Sequence, residues 1–555
     1  MNVNDYKWWQ KTVVYQIYPR SYRDSTGNGI GDLNGIREKV DYIEDLGIET
    51  VWFNPFFKSP QKDYGYDVSD YREIDPLYGT MHDFEELLKD LHDRNIKVIL
   101  DLVLNHTSDE HPWFIESASS RDNPKREWYI WRDGKKPHGR KPPNNWIANK
   151  GGKAWKYDQR TDQWYYFHFL PFQPDLNYRN PEVKEEMFNM MRFWLKKGVD
   201  GFRLDAFHSI FEDEALRCDK LSWHLLPSQK RVSSFFHKHL HDINVPETFD
   251  FSTELRKVMD EFEPPRFLVG EGAGSIEEVR KYYGPKNNGL NQCFLFEFMI
   301  TKFNSKSFYS VISRIEKTLP YPFTPTYVLG NHDHVRSISR NDDDVRKAKL
   351  LATMQLTLRG VPFIYYGEEL GMENVHFDLE ESQDPVGNVY SKWAILVLGK
   401  LLGLTLTRDG SRTPMQWNSE PHAGFCSNPN CTPWLRLSES YLQINVEQEK
   451  NDPNSLLICY KRLIKIRKEN AALQQGKMEF ICQPQRSNDI LMYSRNFKGD
   501  IIYTCLNFNS KEMKLELPIE RPTLLFSTTQ FRNDLNSEID QKTFQLSPIE
   551  GIIFK

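Results

Sequence analysis

Eight short apolar runs, most of them separated by amphipathic stretches, constrain this chain more than any other feature. They are VVYQIYP from Val13, ETVWFNP from Glu49, KVILDLV from Lys97, GFRLD from Gly201, RFLVGE from Arg266, CFLFEF from Cys293, TYVLGNHD from Thr326 and VPFIYYGEE from Val361. A strand that is apolar throughout is buried on both faces, as in a parallel sheet covered by helices. The intervening stretches supply helical patterns at 81–95 and 180–198. The second opens with Asn180 as N-cap and Pro181 at the first helical position, and it stops at Gly198. Such units predict an α/β fold, a (β/α)8 TIM barrel with its site at the C-terminal ends of the strands. A doubly wound sheet could be drawn from the same alternation, but only the barrel gathers the strand ends at one mouth.

Those ends are charged. They carry Asp101, Asn105 and His106 after the third strand, Arg203 and Asp205 after the fourth, Glu271 after the fifth, and Asn331, His332 and Asp333 after the seventh. Three carboxylates, Asp205, Glu271 and Asp333, are thereby predicted to converge. Like charges held close raise at least one pKa, so a protonated acid can coexist with an ionised carboxylate. Glycosyl transfer uses that division, one carboxylate attacking the anomeric carbon and one acid protonating the departing oxygen. Arg203, two residues before Asp205 and so on the same side of the strand, would keep that carboxylate ionised and aimed. Lone histidines elsewhere, His237, His239 and His241, read as a solvated helix face.

At 555 residues the chain exceeds the roughly 250–300 that one core sustains. The barrel is expected over 1–103 and 176–474, with an irregular insertion at about 372–435. A Trp-, Tyr-, Lys- and Pro-rich segment over 104–175 interrupts it as an inserted subdomain over the mouth, because it is too long for an ordinary connection. The helical run 455–473 leads into alternating apolar strands over 475–555, expected as a C-terminal antiparallel β-sandwich domain. A net charge of -5 gives no electrostatic reason to expect nucleic acid or an anionic membrane as partner. The first residues hold no signal-length apolar stretch, and no run reaches 18 apolar residues, so the expected location is cytoplasmic, or else the sequence is a mature form. The seven Cys are scattered, with Cys426 and Cys431 the one close pair, and read as free buried thiols rather than a disulfide framework.

DLVLNH (101–106), GFRLDA (201–206), GE (270–271) and NHD (331–333) resemble the four motif regions of glycoside hydrolase family 13, the alpha-amylase family. QPDLN (173–177) and RTPMQW (412–417) narrow the resemblance to its alpha-glucosidase and oligo-1,6-glucosidase branch, and the similarity runs from about Trp8 to the C-terminus. The resemblance implies a retaining double displacement through a β-glucosyl-enzyme intermediate. It makes Asp205 the nucleophile, Glu271 the acid/base and Asp333 the stabiliser of the distorted ring. It also implies that Asp63, Tyr66, His106, Arg203, His332 and Arg412 line the terminal-glucose pocket, with Phe169 and Gln173 flanking the cleavage point. A pocket closed at the non-reducing end would act on chain ends of short oligosaccharides.

In this branch the residue after the nucleophile is often Val in α-1,6 enzymes and smaller or more polar in maltase-like ones. Ala206 therefore favours α-1,4 cleavage, with maltose, sucrose or short malto-oligosaccharides as substrates. No cofactor is required for the chemistry. DSTGNGIGD (24–32) resembles the loop that holds a structural Ca2+ or Mg2+ in relatives, with oxygens from Asp24, Thr26, Asn28, the Ile30 carbonyl and Asp32, although Thr26 and Asn28 stand where relatives carry acidic or amide residues. His334 and the GEGAG stretch at 270–274 depart from the usual pattern near the acceptor side. An oligo-1,6-glucosidase, a glucosyltransferase or a sucrose isomerase would use the same site. A non-catalytic barrel like the transporter heavy chains shares the PPNNW wording at 142–146, but such chains carry a membrane span before the barrel and many lack the carboxylates. A monomer or weak homo-oligomer is expected.

Overall fold

The computed structural model describes residues 6–135, 139–223, 232–234, 236–378, 380–385, 407–426, 428, 430–482, 489–529 and 543–555. Its centre is an eight-stranded parallel barrel: β1 (Val14–Ile17), β2 (Thr50–Phe53), β3 (Lys97–Val103), β4 (Gly201–Asp205), β5 (Phe267–Gly270), β6 (Gln292–Cys293), β7 (Thr326–Val328) and β8 (Val361–Tyr365). The strands pair in the order β6-β5-β4-β3-β2-β1-β8-β7. Between β7 and β6 the Thr326 hydroxyl donates to the Cys293 carbonyl at 2.9 Å, where the ladder itself is missing. The expected sixth strand is cut short. Of the expected run only Cys293 pairs, together with Gln292 before it, and the chain then turns into a helix at Phe296–Met299. Phe294, Phe296 and Met299 pack with Trp52 and Phe363 in one apolar cluster, so that part of the run fills the barrel instead of extending its wall.

The period of two along each strand explains how a barrel can be greasy below and charged above. Ile99 on β3 and Phe267 and Val269 on β5 belong to that interior cluster. The next positions of the same parity are Asp101, then Arg203 and Asp205 on β4, then Glu271. Arg203 pairs in register with Asp101 and with Val269, which fixes the height at which charge replaces hydrocarbon. Gly201 lets β4 and β5 approach, since a Cβ there would lie 2.2 Å from the Phe267 carbonyl oxygen.

Around the barrel, α1 (Met81–Asp93) is closed by a Thr80/Asp83 capping box and buries Phe84, Leu87, Leu88 and Leu91. In α2 (Pro181–Lys196) the Asn180 side chain accepts from the Glu182 N–H, as the sequence predicts. Between β3 and β4 the chain forms a small antiparallel sheet of Trp131–Arg132, Gln163–Tyr166 and Trp155–Asp158, anchored to the barrel mouth by bridges of His106 with Asp175 and Tyr129 with Leu176. The run read as one helix over 455–473 breaks at Asn470 into two, Leu456–Glu469 and Ala471–Gln475.

After it, β9 (Lys477–Cys482), β10 (Ile490–Phe497), β11 (Asp500–Asn507), β12 (Met513–Glu516), β13 (Leu524–Ser527), β14 (Thr543–Leu546) and β15 (Gly551–Phe554) make two antiparallel sheets, ordered β9-β10-β11-β15-β13 and β12-β14. Leu517, Phe544 and Leu546 share one core with Ile490, Cys505 and Ile552. Within the insertion expected over 372–435, residues 379, 386–406, 427 and 429 lie outside the described residues, as do 136–138 of the inserted segment. All seven thiols are free; Cys218 is exposed and Cys482 half-buried, the other five buried. Among the described residues no helix is long and apolar enough to cross a membrane.

Candidate active site

Three carboxylates share one guanidinium at the mouth. Arg203, 1% exposed, donates from Nη1 to Asp101 Oδ1 at 2.8 Å and to Asp205 Oδ1 at 2.6 Å, and from Nη2 to Glu271 Oε2 at 2.5 Å. One positive charge faces three negative ones. Burial, reinforced by Glu271 and Asp101, raises Asp205 well above the ordinary carboxylate range against the pull of Arg203, so the expectation that Arg203 keeps this carboxyl ionised is corrected: Arg203 aims it, but its one charge is divided among three carboxylates. Burial likewise lifts Asp101, to about 6. A cluster with that surplus of carboxylate holds a proton near neutral pH, which is what a general acid needs.

Asp333 stands in the opposite field. Withdrawal from solvent would raise its carboxyl, but His332, Arg408 and Arg412 outweigh that and hold it well below the usual range. Arg412 Nη2 lies 2.8 Å and Arg408 Nη1 3.4 Å from Asp333 Oδ1. His332 is kept neutral by burial. Its Nδ1 accepts from the Gln16 amide at 2.9 Å, which leaves the proton on Nε2, 2.6 Å from the Tyr66 hydroxyl and 3.3 Å from Asp333 Oδ2. The Tyr66 ring stacks on His332 at 5.5 Å. The barrel mouth thus sets a proton-holding carboxylate cluster opposite a firmly ionised carboxylate.

These groups face a cavity of about 480 Å³ lined by Asp63, Tyr66, His106, Phe169, Gln173, Asp205, Ala206, Glu271, Asp333 and Arg408, among others. Nine of the sequence-predicted site residues therefore meet at one cavity. Arg203, His332 and Arg412 lie one layer behind its wall, each bonded to a residue that faces it. Gln173 donates to Asp63 Oδ2 at 3.1 Å. Phe169 packs on His106, whose pKa burial lowers to about 3. Ala206 has φ 47° and ψ 31°, a left-handed conformation that turns the chain sharply after Asp205. His334 and Gly272–Gly274 also line the cavity.

Sequence reasoning missed Arg408. Its Nη2 lies 2.7 Å from Asp63 Oδ1 and 2.8 Å from Asp384 Oδ1, so it ties the segment after β8 to the loop after β2 in the cavity wall. Nothing local in LTRDGSRTP marks it. The reading of His237, His239 and His241 as one solvated helix face is corrected: His237–Lys238 is a two-residue strand, and His239 is buried, with Nδ1 2.9 Å from Asp242 Oδ2. A neighbouring carboxylate, not solvent, holds it.

The 24–32 loop closes on itself. Asp24 Oδ1 accepts from the Thr26 and Gly27 N–H groups and Oδ2 from Gly29 N–H, Asn28 Oδ1 accepts from Ile30 N–H, and both oxygens of Asp32 accept from Ser25. An ion there would have to share oxygens through their second lone pairs, with Thr26 and Asn28 exposed.

A parallel barrel presenting this set of carboxylates, arginines and imidazoles to one cavity fits a glycoside hydrolase. A family model described as alpha amylase, catalytic domain, matches residues 16–476, and the chain belongs to the alpha-amylase family. A probable alpha-glucosidase of Rhizobium meliloti is 39% identical over 93% of this chain and 92% of its own, and an oligo-1,6-glucosidase of Halalkalibacterium halodurans is 38% identical over 99% of both. The trehalulose synthase MutB from Pseudomonas mesoacidophila superposes with a TM-score of 0.88 at 33% identity, covering 99% of each chain. The chain is thus a glycosidase of the alpha-glucosidase, oligo-1,6-glucosidase and sucrose isomerase branch.

Proposed function

We propose that this enzyme is an exo-acting, retaining α-glucosidase that releases terminal α-1,4-linked glucose from maltose, sucrose or short malto-oligosaccharides. The observation that carries the reading is the shared guanidinium: Asp205 and Glu271 both bind Arg203, one on each amino group. A shared guanidinium draws the two carboxyls together, as a retaining mechanism requires: retaining pairs stand about 5–5.5 Å apart, whereas inverting pairs leave ~6.5–9.5 Å for a water. Asp205 attacks the anomeric carbon as the carboxylate, in the form of the site where the proton shared by the cluster sits on Glu271; Glu271 gives that proton to the departing oxygen and later takes one from water, and Asp333 balances the positive charge that develops on the ring. The exo reading draws on the Asp63–Arg408–Asp384 pairing, which holds two loops together in the cavity wall. The linkage reading rests on the small side chain of Ala206.

The same covalent intermediate can pass glucose to another sugar, and a MutB variant has been solved in complex with sucrose, which keeps transfer or isomerisation as the second reading. A structural Ca2+ or Mg2+ at residues 24–32 is a separate proposal, checked by whether a chelator lowers the melting midpoint. The decisive experiment measures glucose release and all products from maltose, sucrose and isomaltose at equal concentration, with Asp205→Asn as control. Fast release from maltose or sucrose, little from isomaltose and none by the variant is expected. Preference for isomaltose overturns the Ala206 argument alone, rearranged disaccharides favour isomerisation, and an active Asp205→Asn enzyme removes the nucleophile.

A further inference from the structure

Among the described residues, two groups bring three metal-ligating atoms within 4.8 Å of one another: Asp24, Cys426 and Cys431, and Asp219, His239 and Asp242. The first is already satisfied, since both Asp24 oxygens accept backbone N–H groups and Cys426 Sγ accepts from Asn428 N–H. The second is not. Asp219 and His239 are 5% exposed and Asp242 is fully buried, yet Asp219 Oδ2 and Asp242 Oδ1 have no hydrogen-bond partner. Fully buried His168 stands beside them, its Nδ1 3.6 Å from Asp242 Oδ2 and its Nε2 unpartnered. No Lys or Arg among the described residues pairs with either carboxylate. Asp219 Oδ1 accepts from the Leu240 N–H at 3.0 Å and Asp242 Oδ2 meets His239, so each carboxylate keeps one open oxygen, and among the described residues only imidazoles stand by to balance their charge, an arrangement costly as it stands and suited to a small dication.

We propose that Asp219, His239, Asp242 and His168 form a binding site for a divalent transition-metal ion of the zinc class. Mixed imidazole and carboxylate donors, all deeply buried, match that class better than Ca2+ or Mg2+, which take oxygen ligands. The Asp219, His239 and Asp242 ligand atoms already lie within 4.8 Å of one another, so Zn–N and Zn–O distances of roughly 2.0–2.2 Å require only a modest inward movement of those three, while His168, whose Nδ1 lies 3.2 Å from the Tyr166 hydroxyl, would have to turn to join them. The ion would clamp two pieces of chain. Asp219 is already tied to the inserted segment by mutual bonds with Asn145, and His168 precedes Phe169, a wall of the cavity. The site would therefore fix the cavity wall contributed by the inserted segment.

The test uses the full-length enzyme stripped with a chelator and titrated with Zn2+, with metal content read by mass spectrometry and Co2+ used as an optical probe. One Zn2+ per chain is expected, with a raised melting midpoint. Asp219→Asn and His239→Gln should weaken binding at least ~10-fold and abolish the thermal shift, while Cys426→Ser changes neither. Co2+ should give ligand-field bands without a thiolate charge-transfer band, a readout on wild type that holds even if a variant fails to fold. Absence of stoichiometric binding, binding unchanged in Asp219→Asn, or a thiolate band would each overturn the proposal.

Discussion

Arg408→Met is the most informative single perturbation. The Arg408 side chain is 12% exposed and its fork meets both oxygens of Asp384, whose side chain is fully buried: Nε donates to Oδ2 at 2.9 Å and Nη2 to Oδ1 at 2.8 Å. The same Nη2 holds Asp63, 9% exposed. Removing one partner of a buried ion pair costs about 3–5 kcal/mol, whereas an exposed pair costs about 0–1 kcal/mol. The larger figure should apply, measured by chemical denaturation at neutral pH. Burial opposes ionisation of Asp384, but Arg408 holds its carboxyl far below the ordinary range. A depressed folded-state pKa stabilises above the unfolded value and is lost as pH falls through the folded one, so the deficit of Arg408→Met should shrink on acidification below about pH 4. In a cycle with Asp384→Asn the two substitutions should couple by about 1–3 kcal/mol. Because Arg408 also steadies Asp63 in the cavity wall, kcat/KM should fall by roughly 10²-fold, mostly through KM. A stability loss under about 1 kcal/mol with no coupling would refute the buried-network argument.

Three further outcomes are expected. Glu271→Gln should lower kcat on maltose by about 10²–10⁴-fold but much less on an aryl glucoside whose leaving group needs no proton; equal losses on both would remove Glu271 from the acid role. Burial raises Glu368 to about 8 from 4.5 in the unfolded chain, so its contribution is full below pH 4.5 and is lost as pH rises through 8. The unfolding free energy of the wild type, from chemical denaturation, should therefore fall with pH by up to about 1.4 kcal/mol per unit across that window, and Glu368→Gln should flatten the slope; parallel slopes would contradict this. Gly201→Ala would set a Cβ 2.2 Å from the Phe267 carbonyl oxygen and should cost about 1–3 kcal/mol or more by forcing β4 from β5, so a melting midpoint equal to wild type would count against the close-approach reading.

What the sequence determined follows from short-range periodicity. Side chains alternate along a strand, so Asp101, Arg203, Asp205 and Glu271 could be placed on the inner face at the barrel mouth from their distance to the apolar residues below them. The Asn180 cap and the helix after it were legible for the same reason, since an N-cap acts within three residues. The sixth strand was misread because CFLFEF is apolar whether it pairs or packs, and only the space inside the barrel decided for packing. Arg408 and Asp63 lie 345 positions apart, and no local pattern announces a partner at that range. His239 looked like one of several histidines on a helix; it became a buried partner of Asp242 only once the chain after β4 folded back towards the inserted segment, beside His168. Backbone geometry repeats over a few residues and can be read along the chain, but buried charge is balanced across whatever the fold brings together, and tertiary structure alone chooses those partners.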